Sequence, residues 1–110
     1  MGMVKGLVVF AFDCDGTLQP GGGPISLDTL QELKKYALVY IVSPSGACKN
    51  LNFPHYTVFG GRHLALEGLK AKVKAERYIY VGDTITDQLA AQVAGWEFIY
   101  ADEFEIWIRQ

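Results

Sequence analysis

Cysteine is scarce in this chain: Cys14 and Cys48 are the whole complement among 110 residues, which make no disulfide framework. No CxxC pair or histidine cluster suggests a zinc site. No apolar run approaches the roughly 18 residues a membrane helix needs. Excess positive charge is lacking too. Ten Lys and Arg against 12 Asp and Glu give a formal net charge of −2, so neither nucleic acid nor an anionic membrane is expected as a partner. The first apolar stretch lacks the small-residue cleavage site of a signal peptide and runs into Asp13-Cys14-Asp15, so the chain is expected in the cytoplasm. Linkers, repeats and low-complexity blocks are absent, and the length suits one core: a single domain over residues 1–110.

What is present is a regular alternation. Leu7 to Phe12 is a continuous apolar run, the pattern of a strand buried on both faces of a parallel sheet. Pro20-Gly21-Gly22-Gly23-Pro24 marks a loop, and Ser26 caps a predicted helix of about ten residues. Leu38–Val42, Tyr56–Phe59, Tyr78–Val81 and Trp96–Tyr100 read as four further strands. Helices are predicted over Gly46–Leu51, His63–Glu76 and from Asp83 to Ala94, and a helical turn or two after Asp102. Five strands alternating with helices predict an α/β fold, a mainly parallel sheet covered on both faces. In such folds ligands sit outside the carboxyl ends of the strands.

Those ends carry the polar residues. Asp13 and Asp15 lie two apart in extended chain, on one face, where two carboxylates repel unless a cation compensates. Oxygen ligands of this kind suit magnesium. Gly16 lets the backbone turn and bring its amides near an anion. Asp83 and Asp87, four apart at a helix start, both face the same crevice, and Thr84 with Asp87 resembles a capping box. Ser43 ends the second strand, where a hydroxyl can hold a phosphate oxygen. Cys14, between the two acids, alternates away from them and is expected to pack; the tyrosines are expected in the core.

Asp13-Cys14-Asp15-Gly16-Thr17 after an apolar strand, followed by Gly82-Asp83-Thr84-Ile85-Thr86-Asp87 after a later one, resembles the haloacid dehalogenase (HAD) superfamily of phosphatases, over about Leu7 to Tyr100. The resemblance implies a Rossmann-like three-layer α/β/α sandwich with the first strand at the centre of a five-stranded sheet. It implies Asp13 as nucleophile, Asp15 as general acid/base and Ser43 as phosphate ligand. The acids Asp83 and Asp87 would hold magnesium, which would also take the Asp13 carboxylate and the Asp15 backbone carbonyl. The family also supplies a lysine that pairs with nucleophile and phosphate. Here Arg62 is the first candidate for that cation, with Lys70 the next, on the helix that follows. Cap insertions are missing, so a large phosphorylated substrate or a second subunit would cover the site; Trp107 and Ile108 are candidates for such a subunit contact. A catalytically silent domain that binds a phosphorylated ligand or a protein partner is the alternative reading. A phospho-accepting receiver module would need an Asp at the end of the third strand, where Phe59-Gly60 stands.

Overall fold

The computed structural model describes residues 7–43, 48, 53–56 and 61–109. Its centre is Val8–Phe12 (β1), buried at every position, as a strand covered on both faces requires. After a tight loop come Leu27–Leu33 (α1) and Leu38–Val42 (β2). His55–Tyr56 (β3), Arg62–Lys72 (α2), Arg77–Gly82 (β4), Ile85–Ala94 (α3), Glu97–Tyr100 (β5) and Phe104–Ile108 (α4) complete the order. β1, β2, β4 and β5 form an all-parallel sheet, and β3 adds a two-residue rung outside β2. The strand order is β3-β2-β1-β4-β5, the Rossmann-like arrangement in which the chain reverses direction across β1.

Among the described residues, the five full strands expected are four, with two residues of a fifth at the edge. Most of the predicted strand Tyr56–Phe59 and of the predicted helix Gly46–Leu51 lies outside the described residues.

Alternation along the strands divides the core in two. Val8, Phe10 and Phe12 face α1 and α4, packing on Leu30, Leu33 and Phe104. Val9, Ala11 and Tyr80 face α2 and α3, against Leu66, Leu69, Ala91 and Trp96. Each of these large side chains contributes roughly 1.5–3 kcal/mol by leaving water. Trp107 and Ile108, candidates for a subunit contact, are partly buried and pack on the first cluster. The Trp107 ring meets Phe10 edge-on and lies parallel to Phe104.

Local chemistry sets the helix ends. The Ser26 hydroxyl accepts from Thr29 N at 3.2 Å to start α1, which is shorter than predicted because the chain turns out of the helix after Lys34. Thr84 and Asp87 form a reciprocal capping box at the start of α3, and Gly95 closes that helix in the left-handed region. α2 stops at Lys72, short of the predicted Glu76, because Val73 is already extended.

The two cysteines overturn an expectation: Cys14 and Cys48 are joined in a disulfide. Cys14 does point away from Asp13, as alternation requires, but into the α1-side cluster, where Cys48 meets it. A separation of 34 residues hid the pairing. Among the described residues no helix is long and apolar enough to cross a membrane.

Candidate active site

Asp13 follows β1 directly. Its amide donates to Val81 O at 2.9 Å, which extends the β1–β4 ladder by one rung and fixes the residue beside the end of β4. The chain then folds into a turn in which Thr17 N and Leu18 N both donate to Cys14 O. Asp83 enters from the end of β4 and Asp87 from the first turn of α3. Carboxylate oxygens of Asp13, Asp83 and Asp87 lie within 4.8 Å of one another. Asp13 and Asp87 are buried, Asp83 is exposed. The two sequence signals, separated by some 70 residues, therefore meet at the strand tips.

Two glycines make that meeting possible. A Cβ on Gly16, whose φ is +72°, would sit 2.0 Å from Asp83 Oδ2, and one on Gly82 would sit 2.6 Å from the Asp87 side chain. Gly16→Ala is therefore expected to cost about 1–2 kcal/mol for the left-handed backbone alone and, by displacing Asp83, to weaken divalent-ion binding. Chemical denaturation and calorimetric titration with magnesium measure the two effects separately. Normal metal affinity in the variant would show that Asp83 does not hold the ion.

Asp87 is heavily committed. Its Oδ2 accepts from Asp83 N (3.2 Å), Thr84 N (3.2 Å) and Thr84 Oγ1 (3.0 Å). Its Oδ1 lies 3.0 Å from Arg62 Nε and 3.4 Å from the Tyr80 hydroxyl. Asp13 is the opposite case. Its Oδ1 is buried without a hydrogen-bond partner, and its contact with Arg62 Nη2 is a 3.6 Å ion pair.

A carboxyl group so placed holds its proton. The Asp13 pKa is pushed from an ordinary 3.8 up to about 7, first by burial, then by the charge of Asp87; Arg62 opposes this, Asp83 adds to it, and the Cys14 amide opposes it. Because the folded protein binds this proton more tightly than the unfolded chain, the contribution to stability is complete below about pH 4 and is lost as pH rises through about 7. Metal-free protein should therefore show a falling thermal midpoint over that window, and magnesium should flatten the fall. A midpoint that rises across the same window in chelator would contradict the burial of Asp13 beside two acids.

The unpaired Asp13 oxygen, the three converging carboxylates and the raised proton affinity fit a divalent cation. Asp13 and Asp83 have lone pairs to give it; those of Asp87 are engaged. Asp15 is exposed, and its side chain is not part of the cluster.

The remaining predicted residues separate. Arg62 opens α2 and reaches both Asp13 and Asp87, so the arginine that begins this helix is brought into the site. Lys70 is not: its ammonium donates to Gly95 O at 2.9 Å, at the C-terminal end of α3, and lies over the Tyr78 ring. The Gly16 amide, expected to face an anion, donates to Gly21 O at 2.9 Å instead. Ser43 is buried directly after β2, and since Phe12 pairs with Ile41 it stands one residue beyond the level of Asp13. Tyr80 is the residue the sequence reading missed. A tyrosine on a buried strand must find a partner for its hydroxyl, and here that partner is the site.

Comparison with protein-family models, with curated proteins and with solved structures found no match to this chain.

Proposed function

We propose that the chain is a capless phosphohydrolase of the HAD type, hydrolysing a phosphate monoester with magnesium through a phospho-aspartate on Asp13. The observation that carries this reading is the buried, unpaired Asp13 oxygen beside Asp83 at the carboxyl edge of a parallel sheet, with the Arg62 guanidinium 3.6 Å away. Asp13, Asp83 and the backbone carbonyl of Asp15 would hold the metal. Bound there, magnesium would offset the carboxylate charge and screen the incoming phosphate.

The chemistry divides between the two acids of the first loop. Asp13 attacks phosphorus as the P–O bond to the leaving group breaks, and Asp15 delivers a proton to the departing oxygen. Asp15 then takes a proton from water, whose oxygen attacks the aspartyl phosphate and releases inorganic phosphate. Its exposure suits this exchange with substrate and solvent. Ser43 and Arg62 supply hydrogen bonds and positive charge to the phosphoryl oxygens, where phosphoryl transfer needs them.

The test is turnover of p-nitrophenyl phosphate with and without magnesium, alongside beryllium fluoride binding read by fluorine NMR. Metal-dependent turnover supports the enzyme. Beryllium fluoride bound at Asp13 without turnover would select the silent phosphate-binding domain instead.

A further inference from the structure

Tyr80 lies on β4 facing α2 and α3, in the cluster with Val9, Ala11 and Leu66, and is completely buried. Its hydroxyl stands 3.2 Å from Val42 O and 3.4 Å from Asp87 Oδ1. A phenol has one proton to give, so it donates to one of these acceptors at a time, and its oxygen remains open to a donor. The Arg62 guanidinium shares the second of these acceptors, so phenol and guanidinium meet at Asp87 Oδ1. The guanidinium is thus held against Asp87, whose Oδ1 is 3.0 Å from Nε without the alignment of a hydrogen bond and 3.4 Å from the Tyr80 hydroxyl. Asp87 is itself immobilised through its other oxygen by the Asp83 and Thr84 amides and the Thr84 hydroxyl. What is left facing Asp13 is the Nη2 edge, 3.6 Å from Oδ1 and short of a hydrogen bond.

We propose that Tyr80 is a positioning residue, which together with Asp87 clamps the Arg62 guanidinium so that its Nη2 edge faces the phosphoryl group held at Asp13. The clamp rests on the phosphohydrolase reading, and it assigns Asp87 to arginine and helix capping, leaving the metal to Asp13 and Asp83. An arginine needs such fixing more than a lysine does, because its donors form a planar fork that must be turned to the anion. Tyr80 also ties this cation to the end of β2 through Val42 O, the carbonyl immediately before Ser43. One hydroxyl thereby sets the spacing between two of the phosphate-binding candidates.

The test measures binding, not turnover. Inorganic phosphate is titrated into magnesium-saturated protein and followed by phosphorus NMR; magnesium is titrated alone by calorimetry. Tyr80→Phe keeps the ring and is expected to weaken phosphate by about ten-fold, the worth of one hydrogen bond to a charged group, with magnesium affinity unchanged. Arg62→Ala should weaken phosphate further, and the double variant should be no weaker than Arg62→Ala alone, because the tyrosine acts through the arginine. Asp87→Asn should retain magnesium affinity while Asp83→Asn loses it. Unaltered phosphate affinity in Tyr80→Phe, additive effects in the double variant, or loss of magnesium in Asp87→Asn each overturn the clamp. Tyr80→Phe decides the matter alone should Asp87→Asn not fold. A wild-type protein that binds phosphate with this coupling but turns nothing over would sink the enzyme reading and leave the clamp standing.

Discussion

Asp13→Asn is expected to abolish magnesium-dependent hydrolysis and, above about pH 7 in chelator, to raise the thermal midpoint. The two effects have one cause. Asp13 is buried without a hydrogen-bond partner for Oδ1, next to Asp87 and Asp83, and its ionised form is held in place against burial and like charge. An amide of the same shape removes that charge, so the folded state no longer binds a proton the unfolded chain releases, and the metal-free protein gains stability. In the proposed mechanism it also removes the nucleophile. Deleting a covalent nucleophile in a well-formed site lowers turnover by roughly 10^4-fold or more. Steady-state kinetics and thermal melts on the same preparation measure both. The pairing matters, because a variant that is more stable and inactive has not lost activity by unfolding; stability given up at a working site is the usual trade. Residual hydrolysis at the wild-type rate would remove Asp13 from the chemistry, and a lower midpoint above pH 7 would mean that its carboxylate is favourably paired after all.

The acids were legible in the sequence because strand ends leave few choices. A buried run that stops at Asp13 and another that stops at Gly82-Asp83 must bring those carboxylates to one edge if the sheet is parallel, and the observed register does so. Asp87 was legible as a neighbour, being one helical turn from Asp83, but its engagement was not. Nothing in Gly82-Asp83-Thr84-Ile85-Thr86-Asp87 says that one carboxylate will accept from two amides and a hydroxyl and form an ion pair with an arginine. Arg62 and Lys70 show the limit of position along the chain. Both follow the third strand, yet the helix start turns Arg62 inward, while two helical turns later Lys70 reaches the end of α3. Gly16 was recognised as a turn residue; the approach it permits is that of Asp83, and its amide is spent on Gly21. Tyr80 was hidden inside a strand of apolar neighbours, and only the three-dimensional meeting of β2, β4 and α2 gives its hydroxyl a role. The edge strand β3 has little bearing on the site, which lies between β1 and β4.

Breaking the Cys14–Cys48 bond should remove a large share of the domain's stability. Closing a loop across 34 residues removes disorder from the unfolded chain, and chain-entropy reasoning places the effect at about 3–4 kcal/mol. For a domain of this size that corresponds to a fall in thermal midpoint on the order of 15 °C. Both sulfurs are fully buried in the cluster against α1 and α4, so Cys14→Ser adds a buried hydroxyl, whereas Cys14→Ala with Cys48→Ala isolates the cross-link better. The effect should reach the site, because Cys14 sits between Asp13 and Asp15 and its carbonyl accepts the amides that shape the turn. Loss of the bond frees the first loop from the segment following Ser43, so magnesium-dependent turnover should fall along with stability. Melts of oxidised protein, of protein treated with a dithiol reductant and of the double Ala variant separate these contributions: reduced and double-Ala protein should melt together, well below the oxidised form. Equal midpoints in all three would show that the bond constrains nothing. The same bond bears on compartment, since reducing cytoplasm keeps most thiols apart. Rapid alkylation in a cell extract followed by mass spectrometry reads the redox state directly: two alkylated cysteines would fit the cytoplasmic expectation and make the folded protein depend on its packing alone, while an intact disulfide would place its working environment on the oxidising side.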